Sequence, residues 1–275
     1  MRAAEWARER LPWGDVLADA LERERLGAAG LLAGGLAYRL FFWIVPLGLV
    51  LAAVLSFWVE TDRAGLETAA REFGIGGAAA SAATDAIEGD AHSRWYFLVI
   101  GLALLGWFGV GVVRALNVAH AVAWRLRPEK VARPFLAGGA FTVVMIGVIG
   151  VTTAAASLRE QMPGPGLVVT LALVVLYLAA FSWASSLLPS RASGWRPFLP
   201  GAIYVALGTQ LVHLLVALYL APRLGRSSEL YGALGASTVI LLWLYLEARL
   251  VVGAAFLNAA LWDRRHPAAA SPDSS

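Results

Sequence analysis

Six stretches of this chain are each long and apolar enough to bridge a bilayer, and this limits its fold more than any other feature. A hydrocarbon core about 30 Å thick takes about 20 apolar residues of helix to cross. The stretches run from about Gly30 to Val59, Trp95 to Trp124, Pro134 to Leu158, Gly166 to Leu188, Pro197 to Ala221 and Gly232 to Trp262. In hydrocarbon, backbone polar groups must be satisfied within their own segment, so each stretch folds as a helix. Composition agrees: 59% of the 275 residues are hydrophobic and 15% charged, against roughly 45–50% and about 25% in soluble domains. The sequence predicts an all-α, polytopic membrane helix bundle with six transmembrane helices. Pro46 is the expected kink in the first, since it lacks an N–H and crowds the preceding turn.

Charge in the connections sets the orientation. Thirteen basic residues, among them Arg23, Arg25, Arg125, Arg127, Lys130, Arg133, Arg191 and Arg264, fall on the side of the two termini. Six fall on the other: Arg63, Arg71, Arg94, Arg159, Arg223 and Arg226. The positive-inside rule places both termini in the cytoplasm. Trp58, Trp95, Trp124, Trp195 and Trp262 mark span ends, where indoles favour the headgroup region. The first span reads as an anchor that stays.

Three regions lie outside the membrane-spanning domain of residues 30–262. In residues 1–29, Val16, Leu17, Ala20 and Leu21 recur at helical spacing between Asp15, Asp19, Glu22 and Arg23. They predict an amphipathic helix that either lies on the membrane surface or packs on the protein's own cytoplasmic ends. The external loop, about residues 60–94, carries seven acids and three arginines, with short helices expected near 62–73 and 78–88. Asp85, Glu88, Asp90 and His92 lie there, but their irregular spacing favours a solvated acidic loop over a metal site. The Pro163–Gly166 run is a tight turn, and residues 263–275 form a cytoplasmic tail, disordered in its Ala/Pro/Ser-rich part. Zero cysteines exclude disulfides and thiolate chemistry. A net charge of +3, without a run of like charges, gives no nucleic-acid footprint.

Charges inside the spans need a physical reason, because each costs roughly 2.5–3.5 kcal/mol near the bilayer centre. Arg39, Arg114, Glu247 and Arg249 fall in one depth band on three helices. Counting from span midpoints at about 1.5 Å per residue, Glu247 is central and the arginines lie a few ångströms to the cytoplasmic side. Arg114, Asn117 and His120 follow an i, i+3, i+6 stripe. Glu247 and Arg249 are two apart and face different ways, so they cannot simply neutralise each other. Three arginines against one carboxylate leave a surplus of +2 that arginine cannot titrate away. Three readings follow: Glu247 bridges two arginines while Arg39 snorkels to the interface, the arginines line a cavity for an anionic group, or the charges relay protons. His213 and Gln210 on the fifth span lie at another depth.

Two stretches carry a resemblance. Gly35-Leu36-Ala37-Tyr38-Arg39-Leu40-Phe41-Phe42 with Pro46 resembles the opening of the YihY/BrkB membrane-protein family. Leu230-Tyr231-Gly232-Ala233-Leu234-Gly235-Ala236, running into Leu241-Leu242-Trp243-Leu244-Tyr245-Leu246, resembles that family's last span, and Pro200-Gly201-Ala202 its "P-G-A" element. Arg39 stands where many members have a second tyrosine, and Gly253-Ala254-Ala255 where many read "G-A-E". The resemblance implies a multi-pass inner-membrane protein of the cell envelope, sometimes described as a transporter. The family's older ribonuclease label finds no support in these residues: His92, His120, His213 and His266 are scattered, and no P-loop, G-x-S-x-G or H-E-x-x-H is present.

The sequence-level expectation is a non-enzymatic membrane protein without cofactor or metal, transporting an anionic amphiphile such as a phospholipid or an envelope-lipid intermediate. Arg39, Arg114 and Arg249 would hold the anionic group by charge-assisted hydrogen bonds. Glu247 would orient them, and Tyr38 and Asn117 would add neutral hydrogen bonds. The alternative is a non-transporting scaffold in envelope biogenesis whose intramembrane charges are structural and whose external loop binds an envelope protein.

Overall fold

The computed structural model describes residues 14–58, 91–161, 166–215 and 221–267. Among them lie seven α-helices: α1 (Gly14–Leu26), α2 (Ala29–Trp58), α3 (Ala91–Ala123), α4 (Pro134–Gln161), α5 (Gly166–Ser186), α6 (Leu199–Leu215) and α7 (Ala221–Arg265), with a single 3-10 turn at Arg196–Phe198 before α6. Each expected span corresponds to one helix, and α1 is the amphipathic helix expected before them. The short external helices, the Pro163-centred turn and the tail beyond Pro267 lie outside the described residues.

Among the described residues, four helices contain stretches long and apolar enough to cross a membrane: Ala29–Leu51, Leu98–Ala123, Pro134–Val151 and Ile240–Arg265. A shorter apolar stretch, Leu171–Ser186, lies in α5. Helix α6 has 17 residues, about 26 Å at the α-helical rise. The last expected span is part of a continuous helix of 45 residues, about 68 Å long and more than twice the hydrocarbon thickness. Its N-terminal part carries Pro222, Arg223, Arg226 and Glu229, and Ile240–Arg265 is its membrane-compatible stretch among the described residues.

Helix α2 is the centre of the bundle, packed against α3 on one side and α7 on another, with α4 beyond α3 and α6 beside α7. The largest buried side chains sit where these meet: Leu36, Trp43, Leu105, Trp124, Phe198 and Phe256. Close approach comes from glycine where α3 crosses α4. A methyl group added at Gly138 would stand 2.6 Å from the Val110 nitrogen, and one at Gly109 2.9 Å from the Gly138 carbonyl. The Trp43 indole N–H, buried beside this crossing, donates to Thr142 Oγ1 at 3.2 Å.

Helix α1 docks on the protein itself, the second of the two alternatives above. Ala18 and Ala20 are buried, and the helix lies along α7. Arg23 Nη1 donates to Asp263 Oδ2 at 2.7 Å and Arg23 Nη2 pairs with Asp19 Oδ2 at 3.1 Å; Arg191 approaches Asp263 Oδ1 at 3.8 Å. Gly27 closes α1 with its N–H on the Arg23 carbonyl, flat against Phe256, whose ring carbon would lie 2.6 Å from any Cβ there. Ala28 then reverses the chain in the left-handed region, φ 50°, and α2 begins.

Candidate functional site

Contacts between α2 and α3 fix where Arg39 lies. Gly101 meets Val50, and Arg39 meets Gly111, so the helices run antiparallel with Arg39 opposite the Gly111 turn. Along α2, Leu31, Gly35, Tyr38, Phe42 and Val45 follow the 4-3-4-3 spacing of one helix face, and all are exposed. On α3, Trp107, Arg114 and Val118 form a matching exposed stripe with the half-buried Gly111. The two faces border an open cleft of about 470 Å³ lined by Tyr38, Arg39, Phe42, Trp107, Phe108 and Gly111.

Aromatic rings wall this cleft. Tyr38 and Phe42 stand 4.8 Å apart by ring centroids, and Phe42 and Phe108 5.7 Å. Tyr38 is 60% exposed and Trp107 67%, which in a membrane-spanning segment means access from the lipid. Arg39 lies between them. Its Nη1 donates to the Gly111 carbonyl at 2.8 Å, the one partner it has among the described residues. A guanidinium has five N–H donors; a single backbone carbonyl satisfies one and does not offset the charge. Gly111 leaves room for this contact, since a Cβ there would stand 3.3 Å from Arg39 Nη1. The cleft therefore combines apolar walls with a cation that has no anionic partner among the described residues.

The other expected site residues are placed separately. Arg114 is exposed one turn beyond Gly111 on the same face; the antiparallel register puts it level with residues 35–36, at the Gly35 end of the cleft. Asn117 is half-buried on the next turn. Glu247 Oε2 accepts a hydrogen bond from Thr209 Oγ1 of α6 at 2.9 Å. Arg249 donates from Nη2 to Glu24 Oε2 of α1 at 3.0 Å. Arg39 and Arg249 thus line different clefts, and with Glu24 counted the surplus in the band falls from +2 to +1. Bridging by Glu247 is one of the three readings of the sequence; the carboxylate that Arg249 contacts, Glu24, comes from outside the spans.

Glu24 is the residue that sequence reasoning missed. It was legible as an anomaly, because it follows Ala20 and Leu21 by four and three residues and so lies on the apolar stripe of α1. His120 is 2% exposed and fully within the helix packing, apart from the exposed Arg114. Asp85, Glu88, Asp90 and His92 are outside the described residues. Among the described residues no group of three His, Cys, Asp or Glu side chains is placed to hold a metal ion.

Long apolar helices, an arginine facing lipid from within one of them and a docked amphipathic helix define a multi-pass α-helical membrane protein. The chain belongs to the BrkB family: the family model "Virulence factor BrkB" matches residues 24–275. It is 27% identical over 265 residues to a UPF0761 membrane protein of Methylibium petroleiphilum, covering 90% of this chain and 62% of that one. A UPF0761 membrane protein of Nitrosospira multiformis is 27% identical over 249 residues, covering 84% and 57%. A shorter match, 28% identical over 91 residues and 33% of each chain, is to the ribonuclease-like protein YfkH of Bacillus subtilis. The chain thus spans less than two thirds of the length of the UPF0761 relatives. No solved structure matches.

Proposed function

We propose that this protein binds an anionic amphiphile, of the phospholipid or envelope-lipid-intermediate class, and moves it between the leaflets of the bacterial inner membrane. The observation that carries the reading is Arg39: a permanent cation in a span, held by one backbone carbonyl and open to lipid between Tyr38, Phe42 and Trp107. A lipid phosphate would take the free N–H donors in charge-assisted hydrogen bonds, and its chains would lie along the aromatic walls. Arg114, one turn further on the exposed face, would receive the headgroup next, with Asn117 adjacent. The enclosing architecture is six spans with both termini cytoplasmic, supported by thirteen basic residues on the terminal side against six. The protein performs no chemistry on its ligand and needs no cofactor.

Native mass spectrometry of the detergent-purified protein tests this, with folding of each variant checked by circular dichroism. Wild type is expected to retain an anionic phospholipid that Arg39→Ala loses and Arg114→Ala retains less well. Equal retention in folded Arg39→Ala would overturn the reading. The pairing of Arg249 with Glu24 and of Glu247 with Thr209 favours a second reading, in which the protein is a membrane scaffold, the charges hold helices together, and the external loop recruits an envelope protein. In that case liposomes containing the protein show no lipid flux above protein-free liposomes, and deletions within residues 62–90 are the damaging changes.

A further inference from the structure

A second cleft of about 470 Å³ opens between α1, the start of α2 and α7, with Leu21, Glu24, Arg25, Gly30, Leu31 and Arg249 around it. Its formal charge is +1, two guanidiniums against one carboxylate. Arg249 is held at one corner only: Nη2 bonds Glu24 Oε2 at 3.0 Å, while Nη1 is buried with no hydrogen-bond partner. The other carboxylate oxygen of Glu24 points at Gly253, where a Cβ would stand 2.7 Å from it. Glu24 thus engages a two-pronged donor with one oxygen and leaves a buried N–H unmet, an arrangement costing more than a fully bonded one. The positive end of the 30-residue helix α2 borders the same space.

We propose that this cleft is a phosphate site and that Glu24 is its built-in competitor. A tetrahedral phosphate offers oxygens to both Nη1 and Nη2 of Arg249, which a fork-shaped guanidinium binds in parallel, and Arg25 on the rim supplies a second cation. Binding displaces Glu24 from Arg249, while α1 stays attached through Arg23 and Asp263. The phosphate is either a free ion or a lipid headgroup whose glycerol backbone lies on the exposed Leu21 and Leu31. This site is separate from the α2–α3 cleft and does not depend on the transport reading.

The test is calorimetric titration of the full chain in detergent with two probes, inorganic phosphate and dihexanoyl phosphatidic acid. Glu24→Gln, which removes the competing charge, is expected to tighten binding by about five-fold or more, the lower range of typical coupling between competing interactions. Arg249→Ala is expected to abolish saturable binding. Binding of phosphate alone assigns the free ion; binding of the lipid, with or without phosphate, assigns the headgroup. The proposal is overturned if neither probe binds wild type or Glu24→Gln, if folded Glu24→Gln binds no tighter, or if Arg249→Ala keeps wild-type affinity. Should Arg249→Ala fail to fold, Glu24→Gln decides alone, because a purely structural ion pair would lose thermal stability without gaining affinity.

Discussion

Asp263 joins three parts of the chain that are far apart in sequence, and its removal should release α1. Its carboxylate accepts from Arg23 Nη1 at 2.7 Å and stands 3.8 Å from Arg191, with the Arg23 and Asp263 side chains only 13% and 10% exposed. Burial alone disfavours the charge on Arg23, but hydrogen bonds to Asp263 and Asp19 overcome it, so the Arg23 pKa is raised above its ordinary value. Asp263→Ala leaves two guanidiniums facing each other with Asp19 as the remaining close carboxylate. Breaking a fully buried pair costs about 3–5 kcal/mol; the residual exposure here brings the expectation to about 2–3 kcal/mol. For a chain of this size that lowers the unfolding midpoint by roughly 5–10 °C, at about 2–4 °C per kcal/mol. The assay is thermal unfolding in detergent of Arg23→Ala, Asp263→Ala and the double variant, with limited trypsin digestion reporting cleavage after Arg25. The two changes should couple by about 1–2 kcal/mol, as for residues in direct contact, and digestion should accelerate in all three variants. Additivity within about 0.5 kcal/mol, or unchanged digestion, would refute the idea that this ion pair holds α1 in place.

Neighbouring glycines in α4 should respond with opposite sign. Gly138→Ala forces a methyl into the α3 backbone and should cost about 1–3 kcal/mol, the usual penalty for overpacking. Gly139→Ala meets nothing within 4 Å and should gain about 0.5–1 kcal/mol from helix propensity; chemical unfolding of the two variants side by side checks both. Asn258→Ala should cost about 1–2 kcal/mol, because Asn258 Oδ1 is the acceptor for the buried Gly201 N–H at 2.8 Å in the first turn of α6, where no intrahelical partner exists. Arg125 ends α3 with φ 53°, and the Leu126 N–H bonds back to the Ala121 carbonyl at 2.8 Å, a turn that favours glycine. Arg125→Gly should therefore raise the unfolding midpoint slightly, by the equivalent of about 0.5–1 kcal/mol.

Helix positions were legible because a bilayer requires long uninterrupted apolar runs, and the boundaries of α2, α3, α4 and α5 fall within a few residues of the stretches read from sequence. The continuous α7 was not, since Pro222, Arg223 and Arg226 look like a loop when only apolarity is scored, although a proline in the first turn of a helix is well tolerated. The "P-G-A" element shows a motif acquiring its physical reason only in three dimensions. Gly201 has no Cβ because the Asn258 amide occupies that space and caps the helix from α7. Both partners are plain in the sequence, but a separation of 57 residues hides the contact.

The intramembrane charges show the same division at the site itself. Sequence singled out Arg39, Arg114, Glu247 and Arg249 as residues needing a reason and grouped them because they share a depth. Depth alone does not decide pairing; helix face does, and the faces diverge. Arg249 meets Glu24 of α1 at 3.0 Å, one residue from the Arg23 that binds Asp263 of α7. Its nearest counter-charge therefore comes from within the chain. Arg39 points outward between two helices that meet lipid, where its partner among the described residues is a carbonyl, beside aromatic rings. An arginine with an internal carboxylate can be structural whatever binds nearby, whereas one facing the bilayer with a single backbone acceptor leaves its charge for the surroundings to neutralise. In a membrane the abundant group able to do so is a lipid phosphate, and it is this difference in the source of the counter-charge, rather than the number of arginines, that sets the lipid-facing α2–α3 cleft apart from the Arg249 cleft, whose cation already has a carboxylate beside it.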